Sequence, residues 1–158
     1  MLTLRPARHE DARFLLALRN EPAVRENSRQ PRVIDAVRHR RWLREALADQ
    51  ANRRLYVIEV DGLPAGMARL DRVPNRLPRE AELSLALVPK VRGLGLARSV
   101  ILKLLDHLQS LGWASVATAT VRAQNLPSVA AFTRARFIVR DLERGARGPW
   151  LRMERRLA

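Results

Sequence analysis

The 158-residue sequence contains no cysteine, few aromatic residues and no long hydrophobic run. The lack of cysteine excludes disulfides and thiolate metal ligands, and three scattered histidines without a paired carboxylate motif predict no metal site. Aromatic residues make up only 4% of the chain, which disfavours a surface that stacks the bases of a single-stranded nucleic acid. No apolar stretch approaches the length of a membrane span, so we expect a cytoplasmic protein that does not contact a membrane.

Acidic residues are also scarce, with 16 Asp and Glu against 30 Lys and Arg, which gives a net charge of +14. Only Lys90 and Lys103 are lysines, so arginine carries almost all of the positive charge. Such a charge favours anionic partners, either nucleic acid or small phosphorylated molecules. The arginines are scattered over every segment, however, and a compositional bias on a solvated surface explains them equally well. Charge alone therefore does not favour nucleic acid as the partner.

The length and the globular composition, 47% hydrophobic and 29% charged, predict one domain over residues 1–158. Alternating and helical hydrophobic patterns predict the order β-α-α-β-β-β-α-β-α-β-β. This order indicates an α/β fold with a mixed, mostly antiparallel sheet of six to seven strands and four helices. The predicted helices cover residues 9–19, 35–49, 94–111 and about ten residues after a cap at Asn125.

The segment 89–98 joins a strand predicted over 80–88 to the helix predicted over 94–111. Gly93 and Gly95 allow positive φ and a close approach to a ligand. The first N–H groups of a helix lack internal partners and carry the positive end of its dipole, so this turn is a predicted anion site. Neither a Walker loop nor the dinucleotide fingerprint fits its glycine spacing. A plain strand-to-helix turn without a ligand is the alternative for so short a motif.

This turn resembles the acetyl-CoA loop of the GNAT N-acetyltransferase superfamily, written Arg/Gln-x-x-Gly-x-Gly/Ala, with Arg92, Gly95 and Ala97 at its three positions. The predicted element order is similar to the GNAT fold over essentially the whole chain. The resemblance implies that the fourth and fifth strands splay apart to admit CoA. It also implies that an acetyl group passes from acetyl-CoA to an amine by direct attack in a ternary complex.

Two further segments carry the resemblance. Asn125-x-x-Ser128-x-x-x-Phe132 is similar to a family segment that ends in Tyr or Phe, and Glu82 matches a glutamate that many members have on the fourth strand. The resemblance implies that Glu82 is the catalytic base, whereas a solvent-facing glutamate paired with an arginine is the alternative. Phe132 replaces a tyrosine that protonates the leaving thiolate in many members. Another group or water must then supply the proton, or the thiolate leaves unaided.

The resemblance also implies how acetyl-CoA would be held. The pyrophosphate would meet the backbone of the turn, the pantetheine arm would pair with the fourth strand, and an N–H of that strand would polarise the thioester carbonyl. The implied contacts are Leu85, Ala86, Leu87, Arg92, Gly93, Leu94, Gly95, Leu96, Ala97, Arg98, Asn125, Ser128 and Phe132. Arg136 stands where the family usually has glycine, which leaves the geometry of that turn open.

The first two helices resemble the N-terminal half of nucleotide-linked amino-sugar N-acetyltransferases and, less closely, acetylases of ribosomal-protein N-termini. This implies a small-molecule amine as the acceptor, contacted by Arg19, Asn20, Arg25, Ser28 and His39. Surface arginines, a loop serine and a half-exposed histidine are the structural alternatives. A non-catalytic CoA- or nucleic-acid-binding module on the same fold is the second functional hypothesis. The oligomeric state stays open, with a homodimer among the alternatives.

Overall fold

The computed structural model describes all 158 residues as one seven-stranded sheet with helices on both faces. The strands are β1 (Leu2–Pro6), β2 (Arg53–Val60), β3 (Leu63–Val73), β4 (Glu80–Leu87), β5 (Val116–Arg122), β6 (Ile138–Glu143) and β7 (Trp150–Arg156). The helices are α1 (Ala12–Arg19), α2 (Pro22–Glu26), α3 (Ala36–Ala48), α4 (Leu96–Leu111) and α5 (Leu126–Arg134). Short 3₁₀ turns at His9–Asp11 and Pro89–Val91 precede α1 and α4. None of the helices combines the length and the apolar character that a membrane crossing requires.

The strand order is β1-β2-β3-β4-β5-β7-β6, and only the β4–β5 pair is parallel. A parallel pair needs a crossover, which α4 provides. The predicted mixed, mostly antiparallel α/β sheet is therefore confirmed. One additional short helix, α2, forms between the first two predicted helices. Its N-terminus is favoured by Pro22 in the first turn and by Glu21, whose side chain accepts the Val24 N–H at 3.1 Å.

The two faces of the sheet are covered differently. The larger core lies under α4 and α5, where Leu83 and Ala117 of the sheet pack against Ile101 and Leu104 of α4. On the opposite face α1 packs on β3 and α3 packs on β2, around a smaller core. The rest of that face is formed by β4, β5 and β7 and carries polar side chains, namely Glu82, Ser84, Thr118, Thr120, Arg152 and Glu154. We call this region the polar face.

Arg136 ends α5 in the left-handed region, with φ of 66°. The helix closes through two backbone bonds of 3.0 Å, from the Arg136 N–H to the Thr133 carbonyl and from the Phe137 N–H to the Phe132 carbonyl. This is the geometry that glycine usually supplies after a helix. The arginine therefore keeps the turn and adds backbone strain.

Replacing Arg136 by glycine should stabilise the fold by about 1 kcal/mol, because glycine adopts positive φ without a Cβ clash. The Arg136 side chain is exposed and makes no hydrogen bond or ion pair that the change would remove. Equilibrium denaturation in urea measures the difference. Arg134→Gly, inside α5 and also exposed, is the matched control and should instead lose up to about 1 kcal/mol. Equal losses in both variants would contradict the strain at Arg136.

Candidate active site

A cleft opens in the sheet where β4 and β5 separate. The two strands pair only from Glu80 opposite Val116 to Glu82 opposite Thr118, although β4 continues to Leu87 and β5 to Arg122. Each strand keeps its outer neighbour, β3 for β4 and β7 for β5, along its length. The predicted splay of the fourth and fifth strands is therefore present in the fold.

The cleft exposes backbone groups of β4. The Val88 N–H donates to the Ala65 carbonyl of β3 at 2.9 Å. Because backbone groups alternate along an antiparallel ladder, those of Leu87 and Leu85 turn away from β3 and towards the cleft, whereas Ala86 faces β3. The Leu87 carbonyl accepts two bonds from the Arg92 guanidinium, at 2.9 and 3.1 Å. The N–H and carbonyl of Leu85 remain available to an extended ligand.

The turn before α4 has the backbone geometry that we predicted for an anion site. Gly93 and Gly95 both have φ of 77°, as the sequence predicted. A Cβ at either position would meet no atom within 4 Å, so the backbone conformation rather than crowding requires glycine. No side chain caps α4, and its first turn contains no acidic residue. The N–H groups of Leu96, Ala97 and Arg98 therefore begin the helix at an exposed turn and suit a phosphate.

The charged side chains predicted to neighbour the pyrophosphate are held by other partners. The Arg92 guanidinium lies 2.6 Å from Glu21 Oε2, in addition to its bonds to the Leu87 carbonyl. This contact holds the pKa of Glu21 below its ordinary value. Arg98 donates to the Arg134 carbonyl at 3.3 Å. Arg92 thus braces the turn against the end of β4 and the start of α2.

The second predicted segment starts α5. The Asn125 Oδ1 accepts the Ser128 N–H at 3.4 Å, and its side-chain amide N–H groups have no protein partner. Phe132 is 3% exposed and packs edge-on against Phe137, with ring centroids 5.0 Å apart. Asn125 thus caps α5 and keeps an unpaired side-chain amide donor, and Phe132 belongs to the hydrophobic core.

Glu82 lies at the point where the cleft opens, on the polar face. Its side chain is half-buried and forms no ion pair, so the surface-pair alternative does not describe it. The Thr120 hydroxyl is 3.5 Å from Glu82 Oε2, at the limit of a hydrogen bond. Burial raises the pKa of the Glu82 carboxyl, and the Asp71 carboxylate, directly opposite on β3, raises it further. A carboxyl with a raised pKa is a stronger proton acceptor once it is ionised.

Three guanidinium groups act on Glu82 in the opposite direction. Arg69, Arg152 and Arg29 each lower the pKa of the carboxyl, but burial outweighs them. Arg69 is itself bound to Asp71, with Nε 2.6 Å from the carboxylate. Arg69, Arg152 and Asp71 were not found from the sequence. The alternation of threonine with alanine along β5 did carry a signal, since it predicts one polar face and one buried face.

Four of the five predicted acceptor contacts form hydrogen bonds within the N-terminal part of the chain. Arg19, Asn20 and Arg25 bond to the backbone of the segment between α2 and α3, and Ser28 bonds back to α2. Arg19 donates to the Gln30 carbonyl, Arg25 to the Pro31 carbonyl and Ser28 to the Val24 carbonyl. The Asn20 amide donates to the Ile34 carbonyl and accepts the Ile34 N–H. These side chains therefore shape the segment.

The structure does not bring His39 to the cleft. The side chain is 4% exposed, so the half-exposed alternative is wrong, and burial lowers its pKa. Its ring lies 5.4 Å from that of Trp42 and borders a cavity of about 390 Å³ with Glu10, Arg13 and Arg40. No residue of β4, β5 or the turn before α4 lines this cavity.

Residues 21–34, which we call the α2 strap, span the polar face. At one end Glu21 binds Arg92 beside the anion site. Farther along, Arg29 lies 2.9 Å from Glu143 of β6, and Arg147 donates to the backbone carbonyls of the strap. The strap thus connects the turn before α4 with the β6–β7 hairpin.

Comparison with known proteins agrees with this geometry. A family model described as an acetyltransferase (GNAT) domain matches residues 1–138. No curated protein is similar enough in sequence to be matched. The structure of aminoglycoside acetyltransferase AAC(6')-Ib with coenzyme A superposes with a TM-score of 0.85 at 16% identity, over 99% of this chain and 95% of that chain.

Two further solved structures share the fold. Spermidine N-acetyltransferase from Vibrio cholerae, with CoA and spermine, gives a TM-score of 0.85 at 22% identity, over 98% of this chain and 95% of that one. The ribosomal L7/L12 α-N-protein acetyltransferase gives 0.86 at 18% identity, over 99% and 94%. None of these three is named for a nucleotide-linked amino sugar, so that narrower resemblance stays a prediction. Because the family model spans most of the sequence, the chain belongs to the acetyltransferase (GNAT) domain family.

Proposed function

We propose that this acetyltransferase transfers an acetyl group from acetyl-CoA to a primary amine of a small molecule, by direct attack in a ternary complex. The observation that carries the proposal is the cleft between β4 and β5, which opens beside the uncapped N-terminus of α4. The N–H groups of α4 suit a pyrophosphate, and the unpaired backbone of Leu85 suits an extended arm that adds to the edge of β4. Acetyl-CoA supplies both features together with a reactive thioester.

In this proposal Glu82 accepts a proton from the acceptor ammonium, directly or through a water molecule. The Leu85 N–H faces the cleft and donates to the thioester carbonyl oxygen, where negative charge develops. Arg69 and Arg152 near Glu82 contribute as well, because nearby cations lower the pKa of an ammonium group. The amine is then deprotonated more easily at the site than in water.

No tyrosine is placed to protonate the departing thiolate. Tyr56 is the only tyrosine, and its hydroxyl lies 3.2 Å from the His107 ring between β2 and α4. Phe132 is buried in the core and has no proton to give. Water therefore supplies the proton, or the thiolate leaves unaided, because a thiol is a much stronger acid than water and its anion is correspondingly stable.

The narrower proposal for the acceptor is a nucleotide-linked amino sugar, with a protein N-terminus as the alternative. The resemblance of the N-terminal segments supports the sugar, and so does the excess of arginine around the α2 strap. Arg19 and Arg25 donate to backbone carbonyls there, so their positive charges are not cancelled by carboxylates. A nucleotide diphosphate would meet favourable charge at this edge of the site.

Thermal unfolding with acetyl-CoA, free CoA and duplex DNA tests the proposal. Acetyl-CoA at about 100 times its Kd should stabilise the fold by about 2.7 kcal/mol. A thiol-release assay over amino-sugar nucleotides, amino acids, polyamines and N-terminal peptides then identifies the acceptor. No stabilisation by either CoA species, together with salt-sensitive DNA binding, would overturn the proposal in favour of a nucleic-acid-binding module.

A further inference from the structure

We infer that the acceptor carries a phosphate group that docks on Arg152 and Arg29, beside Glu82. The inference rests on the proposed function, because it assigns the acceptor end of the same site. Both guanidinium groups approach one carboxylate, that of Glu143. Arg29 Nη2 lies 2.9 Å from one oxygen and Arg152 Nη1 lies 3.7 Å from the other. Glu143 is the one carboxylate that forms an ion pair with either guanidinium, so their two positive charges are not balanced by ion pairs.

Arg152 is the anchor of this docking point. It lies on β7 opposite Thr120, the next residue on the polar face after the last β4–β5 pair. Its side chain is only 23% exposed, yet it donates no hydrogen bond within the protein. Its Nε and Nη2 groups have no protein partner and remain available to a ligand beside the point where the cleft opens. The planar guanidinium fork matches phosphate oxygens two at a time.

Arg69, which lies on the neighbouring strand β3, does not compete for this role. Arg69 is bound to Asp71 through Nε at 2.6 Å, and its guanidinium also lies over the Trp42 ring. Arg29, unlike Arg69, is 54% exposed and can reach a ligand. Its guanidinium lies 5.0 Å from the centre of the Trp150 ring. The tryptophan and Glu143 together hold Arg29 towards the site.

Nearby arginines add positive charge without adding competing anions. Four of them donate to main-chain carbonyls, which carry no net charge: Arg19 to Gln30, Arg25 to Pro31, Arg122 to Arg147, and Arg147 to Glu26 and Ser28. Glu26, 3.6 Å from Arg122, is the one carboxylate that forms an ion pair with any of these four arginines. The acceptor end of the site therefore repels polycationic amines and attracts a phosphate.

The first test measures binding without turnover. Phosphoethanolamine and UDP are titrated by calorimetry into protein saturated with CoA, which keeps them from the anion site at α4. We expect both to bind wild type and the Kd to rise by about 10- to 100-fold in Arg152→Gln. Arg44→Gln, an exposed arginine on α3, is the matched control and should bind like wild type. Failure of both ligands to bind, or equal binding to Arg152→Gln, would overturn the inference.

The second test compares matched acceptors by their kcat/KM. One pair is ethanolamine and phosphoethanolamine, and the other is glucosamine and glucosamine 6-phosphate. A UDP-linked 4-amino sugar and spermidine are measured alongside them. The phosphorylated members should be preferred, and Arg152→Gln should reduce that preference by about 10- to 100-fold. A preference for the phosphomonoesters indicates a terminal phosphate, whereas a preference for the UDP sugar indicates a bridging diphosphate. Spermidine as the best substrate would overturn the inference.

The two proposals fail in different ways. If acetyl-CoA neither stabilises the protein nor is consumed with any amine, the proposed function is wrong. If acetyl-CoA is consumed but neutral and phosphorylated amines react equally well, only the phosphate docking point is wrong.

Discussion

Replacing Glu82 by glutamine should lower kcat/KM for acetyl transfer by about 100-fold at neutral pH, because general-base catalysis contributes on this scale. Glutamine keeps the size of the side chain and removes its ability to accept a proton. Acetyl-CoA should bind the variant as it binds wild type, since the anion site and the Leu85 backbone are unchanged. Steady-state kinetics with the acceptor found in the thiol-release assay measure the effect.

The pH dependence of Glu82→Gln distinguishes a base from a structural group. Burial raises the pKa of Glu82, so in wild type the carboxyl stays protonated, and inactive as a base, to a higher pH than an exposed glutamate. The wild-type rate should therefore fall as the pH drops through this raised pKa. The variant depends on amine that loses its proton in solution, so its defect should be largest at low pH and should shrink as the pH rises.

The same shift predicts the stability of the variant. A carboxyl whose pKa is raised on folding favours the folded state in its protonated form and disfavours it when ionised. Above the raised pKa, Glu82→Gln should therefore unfold at an equal or higher temperature than wild type. Glu154→Gln is the control, because Glu154 lies on the same face and binds Arg140 at 3.0 Å. This control should lose stability and keep its pH profile. An unchanged pH profile in Glu82→Gln would remove Glu82 from the mechanism.

The sheet and the conformation of the turn before α4 could be predicted because local patterns encode them. Alternating apolar residues specify β4, the two glycines specify the turn, and the helical repeat of leucines specifies α4. Their order along the chain then limits the topology to very few arrangements. The crossover through α4 predicts the parallel β4–β5 pair. The early separation of these two strands was implied by the family resemblance.

The surroundings of Glu82 could not be predicted, because register and tertiary packing create them. Asp71 faces Glu82 only through the β3–β4 register, and Arg152 reaches the cleft only because β7 lies between β5 and β6. Glu21 and Arg92 are 71 residues apart. Asn20 and Ser28 show the reverse difficulty, because the sequence assigned them to the acceptor site. Short polar side chains also bond readily to the nearby backbone, so their presence does not by itself indicate a ligand.

Replacing Arg92 by glutamate should weaken acetyl-CoA binding by about 100-fold. The change removes the two bonds to the Leu87 carbonyl at the mouth of the cleft. It also sets a new carboxylate beside Glu21, so the α2 strap and the turn before α4 repel each other. A third effect is direct, because negative charge near the N-terminus of α4 opposes a pyrophosphate. Calorimetric titration with acetyl-CoA measures the affinity.

Two milder variants separate these effects. Arg92→Lys keeps the charge and loses the bidentate fork, so we expect about a tenfold loss. Glu21→Gln removes the ion pair, and its amide oxygen can still cap α2 by accepting the Val24 N–H. If the ion pair with Glu21 supports binding, Glu21→Gln should weaken acetyl-CoA binding. The double variant Glu21→Gln/Arg92→Lys should then bind acetyl-CoA only slightly more weakly than Glu21→Gln alone. Wild-type affinity in Arg92→Glu would show that neither the brace nor the charge at this turn serves acetyl-CoA, and the ligand of the α4 terminus would have to be sought elsewhere.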